Sequence, residues 1–113
     1  MLPLYVTSGE PAGIGPDICL SLAARIDERP IVVLGDMNLL RTRAACLGLD
    51  IELIEYSGQE ASSTQGQLYV EHVPLSKAVV MGELNPENAP YVLEQLRRSA
   101  DYAMSGKSVG VAT

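Results

Sequence analysis

LYVTSGEPAGIGP, residues 4–16, is the stretch that decides the fold. Its apolar start at residues 4–7 predicts a short buried β-strand, and Pro16 stands where proline is tolerated, at the first position of a helix. Between them, Gly9, Gly13 and Gly15 allow backbone conformations, or a close approach of another molecule, that a Cβ atom would block. The stretch therefore predicts a strand, a glycine turn and a helix whose free N–H groups favour an anion.

Strands and helices continue to alternate along the chain. Apolar spacing predicts a first helix over residues 16–26, and Asp36 and Gly48 are suited to cap the two ends of a second helix over 36–47. A polar loop is expected at 57–67. Apolar runs predict further strands over residues 31–34, 51–54, 68–73 and 108–113. This order predicts an α/β fold of three α/β/α layers with a mostly parallel sheet.

The longest predicted helix begins in the proline-containing segment 86–90 and ends at Gly106. Its apolar residues recur with the 3.6-residue helical period, so we expect them to face the core. They are Ala89, Val92, Leu93, Leu96, Ala100, Ala103 and Met104.

Composition excludes several classes of partner. The net charge is −6 and the pI is near 4.6. The longest basic cluster is the pair Arg97-Arg98, whereas a nucleic-acid surface concentrates positive charge. We therefore expect neither nucleic acid nor an anionic membrane as a partner. The apolar stretches fall far short of the ~20 residues that span a bilayer, which favours a cytoplasmic protein.

The cysteines and the histidine do not form a recognisable metal motif. Cys19 and Cys46 fall within predicted helices, without a CxxC spacing or a nearby histidine, so we predict two buried structural thiols. His72 is the only histidine and lies in a predicted strand. One imidazole does not make a metal site, and we predict an ordinary strand residue.

Three interpretations of the glycine turn remain open from the residues alone. Its glycines serve only a tight strand-to-helix connection, or they hold a nucleotide or phosphate in a non-catalytic module, or they belong to a short-chain dehydrogenase. In the last case Asp36, just after the second strand, would meet a ribose hydroxyl; otherwise it is a helix N-cap. Tyr102 is followed by Lys107 rather than by a lysine four residues on, which does not fit the short-chain pattern.

The turn also resembles the signature of one family. Residues 9–17, GEPAGIGPD, are similar to the N-terminal motif of the 4-hydroxythreonine-4-phosphate dehydrogenases of pyridoxal phosphate biosynthesis. The segments RAACLGL at 43–49, GELNPENA at 82–89, YVLE at 91–94 and VGVAT at 109–113 follow in the family's order. The resemblance implies an isocitrate/isopropylmalate-dehydrogenase-like fold. Residues 1–113 would then form the N-terminal part of the first α/β domain, with the second domain and the rest of the family's chain absent.

The resemblance carries further expectations about the full-length protein. It implies an NAD- or NADP-dependent oxidation and decarboxylation of a small phosphorylated hydroxyamino acid, 4-hydroxy-L-threonine phosphate, by a homodimer. It also implies a divalent metal (zinc, magnesium or cobalt) held by three histidines that lie outside these residues. Only the turn matches functional positions here, so we expect cofactor contacts from Gly9, Glu10, Gly13 and Gly15. For Glu10 the alternative stays open that it is a first-turn acid complementing the helix dipole. No catalytic residue or metal ligand is expected in this chain, and the isolated chain is expected to be inactive.

Overall fold

The structure is a computed structural model that describes residues 2–24, 29–62, 64–108 and 110–112. Eight elements follow one another in this part of the chain: β1 (Leu4–Thr7), α1 (Gly15–Ser21), β2 (Ile31–Gly35), α2 (Met37–Cys46), β3 (Glu52–Glu55), β4 (Gln67–His72), α3 (Ala89–Met104) and β5 (Gly110–Ala112). Short 3-10 turns at Leu22–Ala24 and Pro86–Asn88 complete them. The predicted elements are confirmed to within a few residues at their ends. Arg25 and Ile26 of the predicted first helix, Ser63 of the loop, and Val109 and Thr113 of the last strand lie outside the described residues.

The strands form one five-stranded sheet in the order β3-β4-β2-β1-β5, and every described pair is parallel. Successive residues of the central strand β2 point to opposite faces of the sheet. Ile31 and Val33 pack in a cluster with residues of α1 and α2, whereas Val32 and Leu34 pack in a second cluster with Tyr91 of α3. The helices therefore cover opposite faces, and the three-layer architecture is confirmed.

Local sequence signals place α2. The Asp36 side chain accepts a hydrogen bond from the Leu39 N–H at 2.9 Å, and Gly48 has φ +68° just after the helix. Both capping predictions are confirmed. The prediction of two buried thiols is half wrong: burial raises the pKa of Cys19 to about 11, but Cys46 is exposed in the last turn of α2. Cys46 is the last residue of α2 and lies on the side of the helix that faces solvent. Its apolar character is therefore not enough to bury it.

The predicted core face of α3 is wrong. The helix buries Tyr91, Gln95 and Ser99 instead, while Leu93, Leu96 and the other predicted core residues are exposed or half-buried. The helical spacing of apolar residues takes account of side-chain hydrophobicity alone and not of hydrogen bonding. The face that α3 buries is selected by hydrogen bonds to the glycine turn, which are described below.

In the described part of the chain, no helix is long and apolar enough to cross a membrane.

Ion pairs on the outer side of α3 predict a pH dependence. Glu94 accepts hydrogen bonds of 2.7 Å from Arg97 and from Arg98. These two guanidinium groups lower the pKa of Glu94 from 4.5 to about 2. A carboxyl group with a lowered pKa stabilises the folded state above its unfolded pKa, and this contribution is lost as the pH falls through the folded value.

We therefore expect Glu94→Gln to lower the free energy of unfolding at pH 7 by less than about 1 kcal/mol, because the pair is partly exposed. The difference from the parent protein should disappear between pH 4.5 and about 2. Thermal unfolding at both ends of this range measures it. Glu60→Gln, the same change of charge at an exposed loop position, is the control. A difference that persists undiminished near pH 2 would contradict the assignment.

Candidate functional site: the glycine turn and its cavity

The glycine turn comprises residues 8–15 and links the end of β1 to the start of α1. Gly9 has φ +73°, in the left-handed region that glycine adopts without steric strain. Gly15 is required for a different reason, since a Cβ atom there would lie less than 3.0 Å from the Ser8 carbonyl oxygen. At Gly13 the nearest atom to a Cβ would be the Glu10 carbonyl oxygen at 3.4 Å, which is ordinary contact. Two of the three glycines are thus fixed by backbone geometry.

Arg43 of α2 holds the turn from one side. Its Nη2 donates to the Gly13 carbonyl oxygen at 3.0 Å and its Nη1 to the Pro11 carbonyl oxygen at 3.4 Å. Its Nε donates to Asp17 Oδ1 at 2.8 Å. The residue is 4% exposed, so its charge is balanced almost entirely by these acceptors.

Gln95 of α3 holds the turn from the other side. The Gly9 N–H donates to Gln95 Oε1 at 3.0 Å, and Gln95 Nε2 donates to the Gly9 carbonyl oxygen at 3.4 Å. The Ser8 hydroxyl oxygen lies 3.3 Å from the same Oε1. A fully buried amide thus satisfies both backbone groups of Gly9.

Tyr91, one turn earlier on α3, joins the glycine turn to the end of β2. Its hydroxyl accepts a hydrogen bond from the Asp36 N–H at 2.9 Å and lies 3.4 Å from the Ser8 hydroxyl. Burial raises the pKa of this phenol. Ser8 in turn donates to the Leu34 carbonyl oxygen at 2.9 Å. The carboxyl ends of β1 and β2 are therefore held in a fixed relation by buried hydroxyl groups.

The four residues predicted to contact a cofactor lie together. Gly9, Glu10, Gly13 and Gly15 line one cavity of about 760 Å³ beside the carboxyl end of β1. Glu10 is half-buried, and its Oε1 accepts a 3.4 Å hydrogen bond from the Ala12 N–H. Among the described residues, no donor is recorded for its other carboxylate oxygen, which can therefore accept from a ligand hydroxyl group. Contact with a cofactor stays a prediction.

Asp36, the alternative ribose-binding residue, is used otherwise. It is 7% exposed, and its two oxygens accept hydrogen bonds from the N–H groups of Leu39 at 2.9 Å and Leu75 at 3.0 Å. Both oxygens are therefore occupied within the chain. This favours the N-cap interpretation and weakens the short-chain dehydrogenase alternative.

His72 and Lys107 lie apart from the cavity. The Met37 N–H donates to His72 Nδ1 at 3.1 Å, so this imidazole serves the start of α2. The Lys107 N–H donates to the Tyr102 carbonyl oxygen at 2.9 Å, just beyond Gly106 with φ +76°. The His72 contact agrees with a structural role, whereas the Lys107 contact involves only its backbone. Within residues 2–24, 29–62, 64–108 and 110–112, no group of three or more metal-binding side chains comes together.

Three residues that hold the turn were not predicted from the sequence. Arg43, Tyr91 and Gln95 come from two later helices and were not assigned to the site. One signal for the last two was present, because Tyr91, Gln95 and Ser99 recur at four-residue spacing as a polar stripe on a helix. Polar side chains that recur at helical spacing lie on one face of a helix. When they can all form hydrogen bonds, they indicate that this face is buried.

The chain is similar to known dehydrogenases over nearly all of its length. It is 51% identical over 107 residues to a 4-hydroxythreonine-4-phosphate dehydrogenase of Neisseria meningitidis, covering 94% of this chain and 31% of that protein. It is 44% identical over 112 residues to the enzyme of the same name from Vibrio cholerae, covering 97% of this chain and 34% of that protein. The chain thus spans about a third of the length of the curated relatives it matches. No protein-family model matches it.

Solved structures agree in fold. The crystal structure of 4-hydroxythreonine-4-phosphate dehydrogenase from Klebsiella pneumoniae superposes with a TM-score of 0.85 and 28% identity, over 98% of this chain and 36% of that one. The predicted resemblance is confirmed. Over nearly all of its length the chain is thus similar to about a third of proteins named 4-hydroxythreonine-4-phosphate dehydrogenase, which is consistent with an N-terminal fragment.

Proposed function

We propose that residues 1–113 form the N-terminal part of the first α/β domain of an NAD- or NADP-dependent dehydrogenase. The full-length protein would oxidise 4-hydroxy-L-threonine phosphate and release carbon dioxide from the product, a step of pyridoxal phosphate biosynthesis. The observation that carries the proposal is the 51% identity over 107 residues to an enzyme named for this substrate.

The turn supplies one wall of the cofactor site in this proposal. When bound, the nicotinamide cofactor would supply the hydride acceptor for oxidation of the alcohol. Glu10 suits a ribose hydroxyl better than a pyrophosphate, because a carboxylate attracts a hydroxyl donor and repels a phosphate. Gly9 and Gly13 line the cavity with backbone alone and add no side chain to it. Arg43 and Gln95 hold the backbone of the turn, so that the position of Glu10 is set before the cofactor binds.

The remaining chemistry is assigned to the rest of the polypeptide. The described residues do not offer a set of three metal ligands, so they do not fit the divalent metal that the family uses. The full-length protein is proposed to be a cytoplasmic homodimer that acts on a small phosphorylated substrate, with neither nucleic acid nor membrane as a partner.

An assay of the full-length protein tests the proposal. NADH or NADPH formation with 4-hydroxy-L-threonine phosphate and a divalent metal is expected, whereas the 113-residue chain alone should form none. Glu10→Gln should raise the KM for the dinucleotide by about tenfold, the loss of roughly one charged hydrogen bond, with a smaller change in kcat. Glu60→Gln in the distant loop is the matched control. An unchanged KM in Glu10→Gln would remove Glu10 from the site.

The gene sequence that follows codon 113 is an independent test. Gly-Pro-x-x-Lys soon after β5 and three well-separated histidines are expected. A Tyr-x-x-x-Lys motif without those histidines would instead indicate a short-chain reductase. Micromolar binding of a nucleotide or phosphate ligand by the 113-residue chain alone would favour the non-catalytic module.

A further inference from the structure

Thr7 is a buried residue at the carboxyl end of β1, and it lines the cavity beside the glycine turn. It is 8% exposed, and its backbone pairs with Leu34 in the parallel ladder between β1 and β2. For the Thr7 hydroxyl group, however, the described residues provide no hydrogen bond. A buried hydroxyl group without a partner destabilises a fold, because it has lost the hydrogen bonds that water would give it. Such a group in the wall of a cavity indicates that a ligand supplies the partner.

The other polar side chains of the cavity, apart from Glu10, are already engaged or are weak donors. The Ser8 hydroxyl donates its single proton to the Leu34 carbonyl oxygen at 2.9 Å. Burial raises the pKa of the Cys19 thiol to about 11, so the thiol stays protonated at neutral pH and is a weak hydrogen-bond donor. The remaining side chains of the lining are aliphatic. Among the described residues of this cavity, Thr7 and Glu10 therefore hold the strong hydrogen-bonding capacity that is still unused.

The two groups together are suited to a ribose. A carboxylate only accepts hydrogen bonds, whereas a threonine hydroxyl group both donates and accepts. Neighbouring ribose hydroxyl groups can therefore bond to both, one by donating to Glu10 and the other by pairing with Thr7. A phosphate group is disfavoured, because Glu10 repels it and the described lining residues include no cation to balance it. The position agrees as well, since parallel sheets bind ligands at the carboxyl ends of their strands.

We propose that the Thr7 hydroxyl group binds a ribose hydroxyl group of the dinucleotide, beside the hydroxyl group that donates to Glu10. The inference rests on the proposed function, because it takes the cavity to hold the cofactor. In the free protein the unpaired Thr7 hydroxyl group lowers stability, and the cofactor recovers this loss when it binds. Thr7 is then a cofactor-binding residue that lies outside the glycine motif at residues 9–17.

Thr7→Val in the full-length protein tests the inference, because valine has a similar shape without the hydroxyl group. The KM for the dinucleotide should rise about fivefold with little change in kcat, as for the loss of one uncharged hydrogen bond. In the absence of cofactor, the same substitution should raise the melting temperature by about 1–4 °C, because it removes an unpaired buried polar group. Circular dichroism measures this shift. Thr42→Val, the same change at an exposed position of α2, is the matched control and should leave the KM unchanged.

Two further measurements separate cofactor binding from a structural role. Thr7→Ser keeps the hydroxyl group and should hold the KM within about twofold of the parent value. Saturating dinucleotide should raise the melting temperature of the parent protein more than that of Thr7→Val, because only the parent gains the additional bond. Inhibition by nicotinamide mononucleotide and by AMP identifies the ribose. The affinity for one of these two probes should fall about fivefold in Thr7→Val.

A lower melting temperature of cofactor-free Thr7→Val, or a failure of this variant to fold, would overturn the inference. Either result would show that the hydroxyl group has a partner within the protein. An unchanged KM in Thr7→Val, or unchanged affinities for both probes, would overturn it equally. The parent protein separates the two levels of the argument. An inactive parent contradicts the proposed function, whereas an active parent with an unaltered KM in Thr7→Val contradicts the role of Thr7 alone.

Discussion

Gly15→Ala is expected to have the largest effect of any single substitution in the glycine turn. The new methyl group would lie less than 3.0 Å from the Ser8 carbonyl oxygen, a backbone atom with no freedom to turn away. Relief requires α1 to move away from the end of β1. We expect a loss of about 3–5 kcal/mol, which corresponds to a melting temperature lower by about 10 °C in the full-length protein, or to little soluble protein.

Gly13→Ala is the matched control for this prediction. Its Cβ would lie 3.4 Å from the nearest atom, and φ at this residue is not positive. We expect a change within about 1 kcal/mol, of either sign, because alanine also restricts the unfolded chain. Thermal unfolding of both variants by circular dichroism measures the contrast. Equal melting temperatures for the two would show that the turn adapts and that Gly15 is not sterically required.

Local signals in the sequence were sufficient to predict the framework of the fold. Asp36 and Gly48 bound α2 through short-range backbone geometry, and the unbroken apolar run of β2 follows from its central place in a parallel sheet. Such features depend on a few neighbouring residues. The turn was recognised for the same reason, since three glycines and Pro16 are adjacent in the chain.

The face of α3 was not predictable by the same means. Whether Gln95 or Leu96 points to the sheet depends on a partner 86 residues away, because Gln95 bonds Gly9 across that separation. Hydrophobicity favours burying Leu96. The buried N–H and carbonyl groups of Gly9, however, require a polar partner, and leaving them unpaired costs about 1–3 kcal/mol each. The hydrogen-bonding requirement of Gly9 therefore decides the orientation of α3, and the apolar stripe of the helix is left exposed.

Arg43 shows the same limit on α2. A charged residue in a helix usually faces solvent, yet this one is 4% exposed. Its burial depends on acceptors that the glycine turn exposes only once folded: two carbonyl oxygens and the carboxylate of Asp17. The buried position of Arg43 and the conformation of the glycine turn therefore depend on each other. Neither is predictable from its own segment of the sequence alone.

Arg43→Met is accordingly expected to give the second large effect. It leaves the Gly13 and Pro11 carbonyl oxygens and the Asp17 carboxylate without their common donor. Removing one partner of a buried ion pair typically costs about 3–5 kcal/mol. Since the Asp17 side chain is 30% exposed and regains some hydration, we expect about 2–4 kcal/mol here. The position of Glu10 should be affected as well, because Arg43 holds the carbonyls on either side of Ala12.

A double-mutant cycle separates the ion pair from the support of the backbone. Asp17→Asn and Arg43→Met, singly and combined, should show a coupling of about 1–3 kcal/mol in the free energy of unfolding, with the double variant more stable than the sum of the two losses. Arg43→Lys keeps the charge but not the planar fork that reaches three acceptors at once, so it should recover only part of the loss. Full recovery by lysine would show that charge alone matters and that the backbone of the turn needs no support. Additive effects of the two single variants would show that Asp17 and Arg43 act independently, and that Arg43 stabilises the turn through its carbonyl oxygens alone.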